Sequence, residues 1–369
     1  MLTGLISNRI SWRQALVSVG VGLLLAAIIM QAAGFNALHA FQWLFSGASG
    51  LRFHNAGAPS FNLYNAAQSL AQAVPLLLCG MAVAVAFRAG LFNIGGQGQM
   101  ALGALAAGIA GLAAPRSGWG APWVCLALLA GASAGAALAA VAALLKAWRG
   151  VHEVLSTIML NFIAINICTY IASGPLRDPH SMATQTPGIG AAAHLHAWVT
   201  GSNLNAGLIL ALLLAAGSGW LLQRTSLGFA IRAVGANPRA AEASGISIAG
   251  ATTWAMAISG ALAGVAGALA VLGVQHRYVE GIAGNFGFDG ISVALLGGIV
   301  APGVIVSSLF FGALANGAAV MQLQVGVPDA VATVVQAAVI LMVAVRPGGG
   351  LRPARRVPAE TPGSLHASG

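Results

Sequence analysis

The side chains with chemical capability in this sequence sit within or beside long apolar runs. Asn93, Gln97, Gln99, Ser156, Thr157, Asn161, Asn166, Asn285, Asp289 and Ser292 are amides, hydroxyls and a single acid in such positions. At membrane depth a polar group is costly and faces a cavity or another helix. Amides and hydroxyls supply hydrogen bonds to a neutral solute. Asn93, Gln97, Gln99, Thr157, Asn161, Asn285 and Asp289 are therefore the expected lining of a solute path. Phe92, Phe286 and Phe288 lie where a flat ring could stack. Few charges and many amides suit a neutral polar solute better than an ion. Glu153, Thr157 and Asn161, spaced i, i+4, i+8, share one helix face; hydrogen bonding between helices, with no solute, explains that stripe equally well.

Other chemistries are excluded or disfavoured. A nucleotide-binding P-loop needs Gly-Lys-Ser/Thr, and the single lysine, Lys146, lies in Leu-Leu-Lys-Ala-Trp. Gly131-Ala-Ser-Ala-Gly135 matches a nucleophile elbow only as a string, because no strand precedes it and no acid or histidine lies nearby in sequence. Gly96-Gln-Gly98-Gln-Met-Ala101 imitates a dinucleotide fingerprint without a soluble strand-turn-helix around it. His180, His194 and His196 share one loop without a closing ligand at metal spacing, and read as solvated. No metal and no cofactor is expected on this chain. Cys79, Cys125 and Cys168 each stand alone in an apolar segment and read as small buried hydrophobes.

These residues need a membrane scaffold. Hydrophobic residues make up 58% of the 369 and charged residues 6%, against roughly 25% charged in soluble domains. Mean hydropathy is +0.86. The net charge of +9 is spread between apolar runs rather than gathered on one solvated face, so nucleic acid is not an expected partner. With roughly 20 residues per membrane-spanning helix, runs near 14–33, 66–86, 91–114, 121–145, 154–173, 205–222, 248–273, 288–300, 304–322 and 329–345 predict an all-α integral membrane fold of about ten spans, the eighth short. Residues 1–345 form one domain, with external loops 34–65 and 174–204, a cytoplasmic loop 224–247 and a disordered cytoplasmic tail 346–369. With the N-terminus inside, twelve of the 16 Lys and Arg fall on the cytoplasmic side, as the positive-inside rule requires, and both termini are cytoplasmic. The first run is long for a cleavable signal and reads as a retained span.

Two glycine-rich joints interrupt the apolar pattern, Gly90-Leu-Phe-Asn-Ile-Gly-Gly-Gln-Gly-Gln99 and Gly284-Asn-Phe-Gly-Phe-Asp-Gly290. They stand at corresponding places in inverted repeats of spans two to five and seven to ten, a pattern that points to a transport site; two unrelated helix breaks are the alternative. Gly131/Gly135 and Gly260/Gly264 put small residues one turn apart, which lets helix backbones approach closely. Loop 224–247 reads as short helices divided at Gly235 and Pro238. It either docks a soluble partner or rests on anionic lipid.

Four separated segments, in order, resemble the permease subunits of ATP-binding-cassette importers of the branched-chain amino acid, simple sugar and nucleoside branch, over residues 66–322. Phe87-Arg-Ala-Gly-Leu-Phe-Asn-Ile-Gly-Gly-Gln-Gly-Gln99 and Glu153-Val-Leu-Ser-Thr-Ile-Met-Leu-Asn161 are most similar to nucleoside-type permeases; Gly174-Pro-Leu-Arg-Asp-Pro179 and Gly287-Phe-Asp-Gly-Ile-Ser-Val-Ala-Leu-Leu-Gly297 agree. The resemblance implies a transport subunit rather than an enzyme, in the bacterial inner membrane, moving a nucleoside by alternating access, with a ribose-like sugar as the competing solute. It further implies a separate ATPase subunit that holds ATP and Mg, a second permease forming a heterodimer, and an extracytoplasmic solute-binding lipoprotein. In such importers the loop after the sixth span carries the coupling helix, which would give that role to Arg232, Gly235, Ala241, Glu242 and Gly245. A secondary transporter and a membrane-embedded enzyme are the rival readings; the second would need convergent acids, histidines or a metal at membrane depth.

Overall fold

The computed structural model describes residues 12–52 and 60–328, together with 330, 331, 333, 334 and 337. Among the described residues the regular structure is helical apart from one short pair of strands. In order it forms α1 (Trp12–Ala32), α2 (Ala37–Ser49), strands β1 (Leu51–Arg52) and β2 (Ser60–Phe61), and helices α3 (Leu63–Arg88), α4 (Gly96–Leu112), α5 (Ala121–Arg149), α6 (Glu153–Ser173) and α7 (Gly207–Arg224). There follow α8 (Ser226–Ala236), α9 (Pro238–Ala243), α10 (Ile248–Ala270), which closes in a π-turn over Val271–Gln275, α11 (Phe286–Leu296) and α12 (Ala301–Val325).

Six of these helices are long and apolar enough to cross a membrane: α3, α5, α6, α7, α10 with its π-turn, and α12. They coincide with the expected second, fourth, fifth, sixth, seventh and ninth spans. Six such helices make the chain a multi-pass membrane protein. The expected third span begins only at Gly96 and is 17 residues long, because residues 91–95 form the non-helical joint. The expected eighth span is the 11-residue α11, about 16 Å at 1.5 Å per residue, half of a bilayer core of about 30 Å. Most of the expected tenth span and the whole tail lie outside the described residues.

Apolar side chains on every face put α3 and α10 at the centre. Their most apolar stretches are 78% and 72% buried, against 22%, 28% and 33% for α5, α6 and α7. Glycine brings the central helices together. A Cβ on Gly264 would strike the Gly131 carbonyl, and one on Gly135 or Gly260 would strike the carbonyl of the other. The two small-residue motifs are thus each other's partners, and Gly103 of α4 packs on Gly264 as well.

Both stretches expected as external loops have internal order. Residues 34–65 contain α2, started by the Asn36 cap on the His39 N–H and packed on α12, where a Cβ on Gly317 would meet the Leu44 carbonyl. Asn316 of α12 donates to the Gly47 and Asn65 carbonyls at 2.8 and 2.9 Å. Residues 174–204 are stitched to the segment after the π-turn. Thr186 N–H donates to the Tyr278 carbonyl, Ile189 N–H to the His276 carbonyl and Glu280 N–H to the Thr184 carbonyl, and Arg277 meets Asp178 at 3.3 Å. His180 and His196 are exposed, but His194 is half-buried and stacks on His276 with ring centroids 3.9 Å apart. That corrects the reading of all three as solvated. Burial and the neighbouring His194 hold the His276 imidazole below the ordinary histidine range. Cys79 and Cys168 are buried, whereas Cys125 is exposed on the surface of α5, which corrects its reading as a buried residue.

Candidate functional site

The two glycine-rich joints meet in the middle of the bundle. Gly90 ends α3 in the left-handed conformation, φ 73°, and the chain crosses residues 91–95 before α4 starts. The N-terminal turn of α11 lies against it. The Gly96 and Gly287 backbones are so close that a Cβ on Gly287 would enter the backbone at Gly96 and Gln97. Gln97 Nε2 spans the contact, donating to the Gly284 carbonyl at 2.6 Å.

The expected path residues divide into two groups. Asn93, Gln99, Thr157 and Asn161 are buried and bonded within the chain. Asn93 Nδ2 donates to Gln99 Oε1 at 2.9 Å and to Ser259 Oγ at 2.8 Å, while its Oδ1 accepts from the Gly95 N–H and from Gln99 Nε2. Asn161 Oδ1 accepts from the Gly98 N–H at 2.8 Å and its Nδ2 donates to the Ile94 carbonyl at 2.7 Å. These two asparagines supply the partners that the broken helix denies its own backbone. Thr157 Oγ1 turns back to the Glu153 and Val154 carbonyls, and Glu153 pairs with Lys146 at 2.8 Å. Of the Glu153/Thr157/Asn161 stripe, Asn161 bonds the first joint and Thr157 lies beside its Gly95, whereas Glu153 is turned to Lys146 of α5. Gln97 and Asp289 are half-buried and Asn285 is exposed. Of the aromatics, Phe92 packs edge-on against Phe87, centroids 4.5 Å apart, and Phe288 is exposed.

Beside the joints, at the end of the bundle that holds residues 174–205, lies a cavity of ≈ 240 Å³. Gln68, Gln72 and Pro75 of α3, Met100 of α4, Asn203, Gln275 of the π-turn and Phe286 of α11 are among its lining. The sequence reading named only Phe286 of these. The signal it passed over was Gln68 and Gln72, one helical turn apart, just before a proline inside an apolar run.

At the opposite end, α8 and α9 form a capped staircase. Thr225 Oγ1 accepts from the Gly228 N–H, Asn237 Oδ1 from the Ala240 N–H and Ser247 Oγ from the Gly250 N–H, the pattern that starts each helix in turn. Gly235 lies inside α8, and the break falls at Asn237. Ala241 packs with Val234 and Ala251 in a small core of its own. Glu242 and Gly245 are exposed and Arg232 is half-buried. Gly235 abuts the end of α3, where a Cβ would strike the Arg88 carbonyl. The Arg88 guanidinium donates from Nε and an Nη to the Ile299 carbonyl, at 3.1 and 2.8 Å. The staircase, the first joint and the α11–α12 corner thus share one hub.

Comparison with known proteins agrees with this architecture. A guanosine ABC transporter permease of Bacillus subtilis, NupP, is 37% identical over 89% of this chain and 92% of its own length. A nucleoside ABC transporter permease of Lactococcus lactis, NupB, is 33% identical over 90% of each. A glucose ABC transporter permease of Haloferax volcanii, TsgB13, is 34% identical over 74% of each. The first two organisms each hold a second, more distant permease relative, NupQ and NupC, 27% identical over 66% and 67% of this chain. No solved structure matches. The model of the family described as branched-chain amino acid transport system, permease component, matches residues 65–344, and with two relatives above 30% identity along nearly the whole chain, this protein belongs to that family of membrane permease components.

Proposed function

We propose that this chain is one of two permease subunits of an ATP-binding-cassette importer that carries nucleosides. The observation that carries the reading is the 37% and 33% identity, over about nine tenths of the chain, to permeases named for guanosine and nucleosides. The bundle's accessible amides, with few charges among them, suit such a solute. The glucose permease covers less of the chain, so a sugar is the second reading. The presence in each of those organisms of a second, different permease relative, NupQ beside NupP and NupC beside NupB, supports a second, different permease as partner. The α8–α9 staircase, with Glu242 and Arg239 exposed, is the docking element for a separate ATPase, which supplies ATP and Mg, and an extracytoplasmic binding lipoprotein delivers the solute. Ten spans arranged as two inverted repeats, both termini cytoplasmic, would bring each glycine joint to the midplane, where alternating access needs a hinge. Gln97, Asn285 and Asp289 line the path in this mechanism, and Asn93, Gln99, Thr157 and Asn161 line it when the joint opens.

The test is uptake of labelled guanosine, uridine, ribose and leucine by cells with and without the gene, repeated after ATP depletion. ATP-dependent loss of nucleoside uptake is expected. Loss confined to ribose would move the protein to the sugar branch, and uptake that survives ATP depletion but stops with the proton gradient would replace the importer reading by a secondary transporter.

A further inference from the structure

The cavity beside the joints is built differently from the rest of the bundle. Two irregularities of the central helices open onto it. Pro75, inside α3, has no N–H to return to the Ala71 carbonyl one turn back, and both residues line the cavity. The π-turn at the end of α10 widens the helix where Gln275 reaches the same space; such turns recur at functional sites.

The lining is amide-rich and uncharged. Gln68 Oε1 accepts from the Asn203 N–H at 3.1 Å, which fixes one wall. Among the described residues, Gln72, Gln275 and the Asn203 side chain make no hydrogen bond to the rest of the chain, in contrast to Asn93, Gln99 and Asn161. Gln72 and Asn203 are half-buried and Gln275 is exposed, so three amides around one cavity are free to bond a solute that enters it. Such a ligand offers both donors and acceptors and no net charge. The ring of Phe286 on one wall offers a face for a flat heterocycle. The volume, ≈ 240 Å³, lies below the roughly 300–1,000 Å³ of pockets that enclose a drug-sized ligand, so it takes one ring system and leaves the remainder at the mouth.

We propose that this cavity holds the heterocyclic base of the transported nucleoside, with Phe286 against the ring face and Gln72, Asn203 and Gln275 on its hydrogen-bonding edge. The inference rests on the nucleoside reading and adds the place where this chain distinguishes a base from a bare sugar. Because Phe286 begins α11 and Gln97 bonds Gly284 two residues earlier, a base in the cavity touches the element that closes the two joints together.

The complete transporter in native membranes, carrying Cys125→Ser to remove the exposed thiol, tests this with Gln72→Cys and N-ethylmaleimide, the labelled chain being read by mass. Guanosine at ten times its Kd slows labelling about tenfold, and ribose does not. Substitution of Gln275 by Leu lowers the maximal rate of guanosine uptake roughly 3–10-fold, the loss expected for one hydrogen bond to the solute, with the chain's membrane level unchanged. If the wild type takes up guanosine while guanosine leaves the labelling rate of Gln72→Cys unaltered, the cavity assignment is wrong and the nucleoside reading stands. If ribose is transported and protects the cysteine while nucleosides do neither, the nucleoside reading falls and takes the base assignment with it.

Discussion

Asn161 shows how an amide in an apolar run divides between structure and transport. Its type and its place on the Glu153/Thr157 stripe marked it as polar and inward-facing from sequence alone. What the sequence did not reveal was the partner: the Gly98 N–H and the Ile94 carbonyl are backbone groups, and they need Asn161 only because the joint is not helical. Replacing Asn161 by Leu leaves both groups buried without a partner, at about 1–3 kcal/mol each. The detergent-solubilised transporter is therefore expected to lose thermal stability along with uptake, and Asn161→Asp, which keeps the acceptor for Gly98, to lose less. An Asn161→Leu protein with unchanged melting temperature and reduced uptake would return Asn161 to a role in solute contact alone. Gln72 and Gln275 are the reverse case. Nothing in their spacing joins them, since one lies in α3 and the other in the π-turn, and only the packing of α3 against α10 places them at one cavity.

At the scale of elements, the close packing of α4, α5 and α10 rests on glycine pairs that the sequence exhibited but did not match to one another. Two motifs with small residues four apart declare that some backbone approaches closely; that Gly131 and Gly135 face Gly260 and Gly264 depends on the order in which the helices assemble. A Gly264→Val change puts a branched side chain against the Gly131 carbonyl and Gly135, and the helices must separate. Overpacking of this kind costs about 1–3 kcal/mol, so reduced melting temperature and reduced membrane level are expected, whereas the same change at Gly217, whose Cβ would meet nothing within 4 Å, leaves both intact. Spans two, four, five, six, seven and nine were legible because each is a long apolar run with a clear end. The start of α4 was not, since Leu91, Phe92 and Ile94 continue the apolar pattern through a non-helical joint. Helix α2 was missed for a related reason: its 13 residues include His39, Gln42 and several small residues, and hydropathy alone reads such a segment as a loop.

For the whole molecule, the proposed docking of an ATPase on the α8–α9 staircase raises the question of how it would be felt at a cavity near the other end. The chain offers a short route made of backbone. Gly235 of α8 lies on the Arg88 carbonyl; two residues on, Gly90 turns the chain into the joint held by Asn93 and Asn161, and that joint abuts α11 and Phe286. Arg88 carries the second branch through its bonds to the Ile299 carbonyl, at the corner between α11 and α12. A displacement of α8 that keeps its contact with α3 must move the joint, because packed interiors transmit shifts rather than absorb them. Gly235→Val wedges α8 off the end of α3 without touching the exposed face of α9. If the staircase is the docking element, the variant still binds the ATPase but no longer drives the joint: complex recovery by co-purification is retained, ATP hydrolysis continues, and uptake falls by an order of magnitude or more, as a shift of about 1.4 kcal/mol per tenfold implies. Glu242→Lys, on the exposed face, has the opposite signature, with the ATPase lost from the purified complex. Loss of the ATPase from the Gly235→Val complex, or its retention with Glu242→Lys, would show that docking and transmission are not divided between the two faces of this element.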